Sequence, residues 1–521
     1  MTGQTSQEYE TDYSEGCGLE DAGSLAPAKA LVAIGKLINA SNALRKPPGL
    51  THAIGLGEQL LKQDRLIPRH AALLRSYLAN AWSGLRRSRG GPWAWDSHEL
   101  GQELLELRRA ISHEGFSELQ NEAQCSILTN LGNVLSSVGR VVEALPIWRR
   151  ALASIPSFGM ALANQGEGLI GYARALSWST QRNAFLEAAL THLDKALSAK
   201  THPIEPAAAS HFEGLRQQAR QAFSRISKGH IHPPRRQTTG KSGAERRYRL
   251  WCLGNQLFLN PLNDLMQASH AASDSLSCPP VLVSIDSAPY FVAAFDQLKQ
   301  EFVSARYLYY EGLTGHSPSF SDARVLLHNT MDYPAYGLRT EEQKSAYRIA
   351  YSLFDKVALF LNAYIDLQIA PDRVSFRKLW YNQSDGKKRR LAVTFSDRAN
   401  WSLRGLFWLS KDLFEEDVFG EVLEPDAQGL HEIRNYLEHR FLRLNRESGA
   451  SMPGDIPKGL IKSVAATDFE AKTLKLLKLA RAALIYLALS VWREEQVRSK
   501  GTASAEILTT NLEPFEDDWK R

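Results

Sequence analysis

The sequence predicts an all-α protein in two parts: an N-terminal solenoid of helical repeats and a C-terminal four-helix bundle with a small β-hairpin insertion. Three observations carry this. Residues recurring 34 positions apart mark stacked helix pairs, since Asn164, Gly166 and Arg174 repeat Asn130, Gly132 and Arg140. Apolar residues return at helical spacing through most of the chain. Four amphipathic stretches in the last third surround one Asp385-Gly386 turn between short apolar runs, the mark of a hairpin.

Residues 1–28 are rich in Ser, Thr, Gly and acid and are expected to be disordered, with no signal-peptide pattern. Residues 29–227 form the array. Leu73–Leu85 and His98–Ile111 read as one degenerate helix pair. Ser126–Pro156 is the clearest unit: Asn130-Leu131-Gly132, the Gly139-Arg140 turn, Glu143-Ala144, Ala151-Leu152 and the closing Pro156. This unit resembles the tetratricopeptide repeat. In the next unit an insertion of about ten residues around Ser177–Ala184 precedes Leu186-Glu187-Ala188. Ile204–Ile226 closes the array. Stacked hairpins cover one another's apolar faces and leave a concave groove, which takes a peptide or protein partner. The competing role is a plain spacer.

Residues 228–250 read as a basic linker, with Arg235, Arg236, Lys241, Arg246, Arg247 and Arg249 opposed only by Glu245. Pro233-Pro234 and Gly240 disfavour regular structure. Gly240-Lys241-Ser242 ends like a phosphate-binding loop, but Arg235 stands where its first glycine belongs. His230 and His232 on a loop do not make a metal site. Residues 251–339 connect the two parts, with a strand-like alternation at Pro280–Asp286 and a Tyr-rich helix from Ser304. Arg306 there has a structural role rather than a phosphate contact.

The bundle spans 340–500, followed by a polar tail, 501–521. Thr340-x-x-Gln343 is a capping-box pattern for a helix to about Leu367, with Ala350, Leu353, Val357, Leu361 and Tyr364 on one face. Residues 374–395 form the hairpin, whose Lys387, Lys388, Arg389 and Arg390 steer RNA beside the stackable rings of Trp380 and Tyr381, or else make a solvated face. Asn400 caps a helix to Phe414. Thr467-x-x-Glu470 opens the last helix. Between them, after Pro425 and Asp426, Leu430, Ile433, Leu437, Phe441 and Leu444 make one apolar stripe, and Arg434, Asn435 and His439 lie off it. Arg434 and His439 are about 140° apart on a helical wheel, so one helix does not close both on one target, whereas two facing copies can.

Arg434-Asn435-x-x-x-His439 on a late helix resembles the HEPN superfamily, over roughly residues 341–500 and loosely over a subfamily with tetratricopeptide repeats in front. The resemblance implies a metal-independent endoribonuclease acting at a homodimer interface, of the kind found among toxins and antiviral effectors, with RNA as substrate and no cofactor or metal. Arg434, Asn435 and His439 are then catalytic, Asp355 and Glu438 candidate supports, and Arg440 joins the basic run in holding RNA. The chemistry suits these residue types. Cleavage by the neighbouring 2′-hydroxyl needs a base, an acid and positive charge at phosphorus; imidazole titrates near neutrality and guanidinium stays charged. Two other readings compete: a non-catalytic interaction module, whose Arg434 merely pairs with Glu438 at i,i+4, and a toxin whose tyrosine takes a nucleotide. The tyrosine position of the last is Phe441, which has no hydroxyl.

Composition sets wide bounds. The chain of 521 residues, 44% apolar with net charge +5, is long enough for two or more cores and permits RNA contact without demanding it. Four scattered cysteines argue against a zinc module or disulfide framework and fit a reducing cytoplasm. The longest apolar run, Ala482–Trp492, is too short to span a bilayer.

Overall fold

The computed structural model describes all residues except 1–4, 90–93, 178, 199–203, 205, 228–238, 285, 316–318, 329, 383–389, 415–422, 447–456, 458, 502–511 and 521. The Pro233-Pro234 and His230/His232 segments, the Asp385-Gly386 turn and Lys387, Lys388 and Arg389 therefore lie outside the described residues.

The array runs α1 (Ser6–Cys17), α2 (Pro27–Ala43), α3 (Pro47–Lys62), α4 (Pro68–Arg89), α5 (His98–Ser112), α6 (Asn121–Ser137), α7 (Val141–Ser154), α8 (Gly159–Ala175), α9 (Ser179–Ala196) and α10 (Pro206–Ser227). Helix α1 occupies residues expected to be disordered. Thr5 and Glu8 close a reciprocal capping box at its start, and Asp12 pairs with Lys36 of α2 at 3.0 Å. The expected insertion near 177–184 is not a loop: α9 already begins at Ser179, so the extra residues lengthen a helix. Gly132 of α6 lies under the buried Trp148 of α7, where a Cβ would come within 2.4 Å of the indole nitrogen. Gly139, at φ +92 between α6 and α7, makes the turn and also lets the chain at Trp401 approach; a Cβ there would sit 2.0 Å from the carbonyl oxygen of Trp401.

Helix α11 (Gly243–Asn255) takes in the last third of the expected linker, capped by the Ser242 side chain accepting from the Glu245 amide. Short α12 (Leu262–Leu265) follows. The C-terminal part comprises α13 (Tyr290–Thr314), α14 (Leu338–Ile365), α15 (Val393–Ser396), α16 (Trp401–Ser410), α17 (Ala427–His439), β1 (Phe441–Asn445), β2 (Ile461–Ala465) and α18 (Ala466–Gly501). Helix α13 packs along α14, and α18 lies against α13, α14 and α16. Helix α14 starts two residues before Thr340, and Gln343 does not close a capping box; its side chain donates to the carbonyl of Gly312 on α13 at 2.9 Å. Asn400 does cap α16, accepting from the Leu403 amide. Arg306 is buried and forks onto Asp274 with two 2.8 Å bonds, a structural role.

Two strand expectations come out differently. Among the described residues of 374–395 the pairing is one antiparallel bridge, Tyr381 to Leu391, because Phe376–Trp380 coils into a turn. No strand forms among the described residues of 280–286. The two-stranded sheet lies elsewhere: β1 pairs in parallel with β2 from Phe441–Ile461 to Asn445–Ala465. The expected stripe thus breaks at His439, and Phe441 and Leu444 sit on a strand rather than the helix.

Array and bundle share one apolar core, running without a break from Ala79 in α4 to Val491 in α18, while α2, α3 and the face of α4 that carries Leu74, Leu78, Ala81 and Leu85 form a second, smaller one. Buried polar side chains cross the seam. Arg108 and Arg140 of the array both grip Asp412, at 2.6 Å each, and Arg481 of α18 meets Asp264 at 2.5 Å, which also takes the Tyr172 hydroxyl at 2.9 Å. Among the described residues no helix is long and apolar enough to cross a membrane.

Candidate active site

Helix α17 begins after Pro425-Asp426, and Ala427, Leu430, Ile433 and Leu437 form its buried face. Two neighbours on α14 fix it lengthwise. The buried Tyr347 hydroxyl donates to the Leu430 carbonyl at 2.7 Å, and Arg348 donates to the Leu437 carbonyl at 2.6 Å, one of the carbonyls a helix end leaves unpaired. Between those anchors the polar side of α17 presents its candidate groups.

Arg434 and Asn435 are half-buried. Arg434 donates from Nη1 to Oδ1 of Asn435 at 3.1 Å, and its guanidinium lies over the Tyr351 ring at 5.9 Å. With its oxygen so engaged, Asn435 turns its Nδ2 to Nε2 of His431, at 2.8 Å. An amide nitrogen only donates, so His431 accepts at Nε2 and its ring proton sits on Nδ1. Phe414 meets the His431 ring edge-on at 5.0 Å. The result is a relay, Arg434 to Asn435 to His431. The sequence reading did not single out His431. Its signal is plain in hindsight: His431, Asn435 and His439 are spaced i, i+4, i+8 and climb one face of the helix.

His439 is the last residue of α17 and is exposed, with no hydrogen bond or ion pair to any described residue. No contact joins it to Arg434 within the chain. The proposed i,i+4 pair of Arg434 with Glu438 does not form either; Glu438 sits 4.0 Å from Arg348 of α14. Asp355 accepts the backbone N–H of Phe376 at 3.1 Å and so holds the turn after α14. Arg440 is exposed and stacks over Tyr436 at 5.2 Å, with Lys462 of β2 on the same ring at 6.0 Å. Lys462 also bonds Glu432 at 2.8 Å, which lowers the Glu432 carboxyl from its usual range. Arg390 is exposed, but Trp380 is fully buried with its indole N–H on the Phe376 carbonyl, and Tyr381 is buried as well. Neither ring is open to stack on a base, because both fill the space between α16 and the turn.

Chemically the face offers a fixed cation, an imidazole of set tautomer and a second imidazole free to reach outward. Among the described residues no three metal-binding side chains cluster.

Residues 282–494 match the LA2681-like HEPN family. Neither a curated protein nor a solved structure matches the chain. The matched span begins well before residue 340 and takes in α13, consistent with that helix packing along α14. It ends within α18, so α13, α14, α16, α17 and most of α18 fall inside it, with a helical region consistent with repeats in front. The C-terminal part of this chain is a HEPN-superfamily domain of the LA2681-like kind.

Proposed function

We propose that the chain is an endoribonuclease that cuts RNA without a metal ion, as a homodimer whose two α17 helices face each other. The observation that carries this is the contrast on α17: Arg434 and Asn435 are held in place, while His439 stands exposed and unpaired among the described residues at the helix end. An imidazole left open on the same helix as a preset cation, but out of its reach, suits a group awaiting substrate and a second copy. In the reaction the 2′-oxygen attacks phosphorus and gives its proton to one His439 imidazole. The 5′-oxygen leaves with a proton from the other copy's imidazolium. The products are a 2′,3′-cyclic phosphate and a 5′-hydroxyl. Arg434, steadied by Asn435, carries the charge that builds on the phosphorane oxygens. Arg440 and Lys462 line the approach.

An apolar strip beside the site supports the dimer. Phe320, Leu326 and Met331 are 94%, 81% and 73% exposed. The strip's far end is held on β1: the Ala335 amide donates to the Leu444 carbonyl at 2.6 Å, and Arg443 bonds Thr330 and Asp332. Strand β1 begins two residues after His439 with the exposed Phe441. A role as a toxin or defence effector in the cytoplasm, with a peptide partner docked on the array, extends the same reading.

A second reading has its own support: Arg434 is already engaged by Asn435 and Tyr351, as it would be in a binding module that does no chemistry. One assay separates the two. Purified protein is incubated with total RNA in EDTA and the ends are mapped. We expect cyclic-phosphate ends, with His439→Ala and Arg434→Ala each slowing cleavage about 100-fold or more, the usual scale for a lost acid–base group. Cleavage that stops in EDTA, or that neither variant alters, overturns the proposal.

A further inference from the structure

We propose that the seam between the array and the bundle holds a nucleotide-binding pocket, distinct from the α17 site. A cavity of about 610 Å³ opens there between α6, α8 and the ends of α16 and α18. A smaller hollow of about 380 Å³ adjoins it, sharing Ile170, Arg174 and Gln496. These sizes fall in the range of small-ligand sites rather than of an extended peptide groove.

The lining is lopsided in charge. Arg174 and Arg493 border the larger cavity, and Arg182 and Arg225 the smaller, with Arg174 common to both. The one carboxylate among the lining residues is Glu167, which faces His211 at 3.4 Å. The guanidiniums are lightly engaged. Arg174 makes a 3.1 Å bond to Gln218, and Arg182, bonded to the Leu176 carbonyl, keeps its Nε buried with no partner among the described residues. The contrast with Arg140 is instructive, since Arg174 repeats it 34 positions on. Arg140 is sealed against Asp412 and Glu143, whereas Arg174 is exposed at a cavity. The first turn of α16, at Trp401 and Ser402, also lines the larger space and adds the positive end of a helix.

The walls are aromatic. Trp148, Trp401 and Trp492 border the larger cavity. Trp401 is fixed by its bond to the Ser136 carbonyl at 2.9 Å, while the indole N–H of Trp492 is buried without a partner among the described residues. A cluster of guanidiniums next to indole rings matches a phosphate chain joined to a flat base: arginine forks onto phosphate oxygens, and a base stacks on tryptophan. An acidic peptide meets the charge but leaves the rings unused.

The three tryptophans supply the readout. The full-length protein is titrated with ATP, adenosine, inorganic phosphate and hexaglutamate, following tryptophan emission under 295 nm excitation and, in parallel, heat by calorimetry. We expect saturable quenching by ATP, with each of the other three binding at least about tenfold more weakly. Arg174→Gln with Arg493→Gln, both exposed positions, should weaken ATP binding at least about tenfold, while exposed Arg69→Gln leaves it unchanged. Arg174→Lys, which keeps charge, guards against a folding artefact and should retain part of the affinity. ATP binding that matches that of phosphate or hexaglutamate, that survives the double substitution, or that is absent altogether, overturns the proposal. The His439→Ala variant should bind ATP as the wild type does, so this result stands apart from that of the cleavage assay.

Discussion

A single amide decides how the α17 face is set. Asn435 accepts from Arg434 and donates to His431, so it aligns a cation and an imidazole at once. Each bond contributes about 1 kcal/mol to stability, too little to matter for the fold. Its effect is on direction: the guanidinium is held between Asn435 and the Tyr351 ring, and the His431 proton is driven to Nδ1. Free histidine in water favours the opposite tautomer, with the proton on Nε2. Nitrogen-15 NMR of labelled histidine above pH 8 reads this directly. We expect wild-type His431 to show a protonated Nδ1 and a bare Nε2, and Asn435→Leu to return it to the ordinary form. If the wild type already carries its proton on Nε2, the amide is turned the other way and the relay does not exist. Substituting Asn435 also frees Arg434, so cleavage should fall with kcat more than with KM, as for a group that positions charge for the transition state.

Helices were legible where apolar spacing and end signals agree. Helices α4, α5, α10, α14, α16 and α18 lie close to their expected places, and Pro27 and Pro47 open α2 and α3 as proline at a first turn should. That Arg434, Asn435 and His439 share one helix was legible too, from the apolar stripe that runs beside them. What failed was pairing between distant segments. Phe441 and Leu444 continue the α17 stripe in a helical count, but the chain turns out at Arg440 and β1 finds β2 about twenty positions on, which no local pattern announces. Tyr381 looked like a strand ring and instead fills the core, since burial depends on α16 arriving above it. The exposed strip from Phe320 to Leu338 was equally hidden, as its residues are ordinary apolar ones whose exposure only the fold reveals. That strip carries the next prediction. A stable dimer buries about 800 Å² on each side, and charge at its centre is costly. Leu326→Glu with Phe441→Glu should turn a sedimenting dimer into a monomer, cut cleavage at least about tenfold and leave circular dichroism unchanged. A wild-type protein that is monomeric yet cleaves RNA at full rate would refute the two-copy site.

At the scale of the whole molecule the array is fused to the bundle rather than tethered to it. Trp95 of the array donates to the Arg398 carbonyl at 3.1 Å, Trp408 returns a bond to the Trp95 carbonyl at 2.9 Å, and Tyr486 of α18 receives the Val142 amide at 3.0 Å. Asp412 is the centre of this seam. It is 1% exposed and bonded by guanidiniums from two array helices, Arg108 of α5 and Arg140 at the start of α7. Burial alone would raise its carboxyl, but Arg108 and Arg140 outweigh that and hold it well below the usual carboxylate range. Because the native value is depressed, the stabilisation is complete above the unfolded value of about 3.9 and fades as pH falls below it. Asp412→Asn keeps the shape and removes the charge, leaving Arg108 and the buried Arg140 without their shared carboxylate at a cost of about 3–5 kcal/mol. The urea midpoint at pH 7 should therefore drop in the variant. The gap between variant and wild type should narrow from about pH 4 downward, as protonation does to the wild type what the substitution did. Equal midpoints at pH 7, or a gap that stays constant into acid, would mean that the seam is held by its other contacts and that Asp412 is not the bolt between array and bundle.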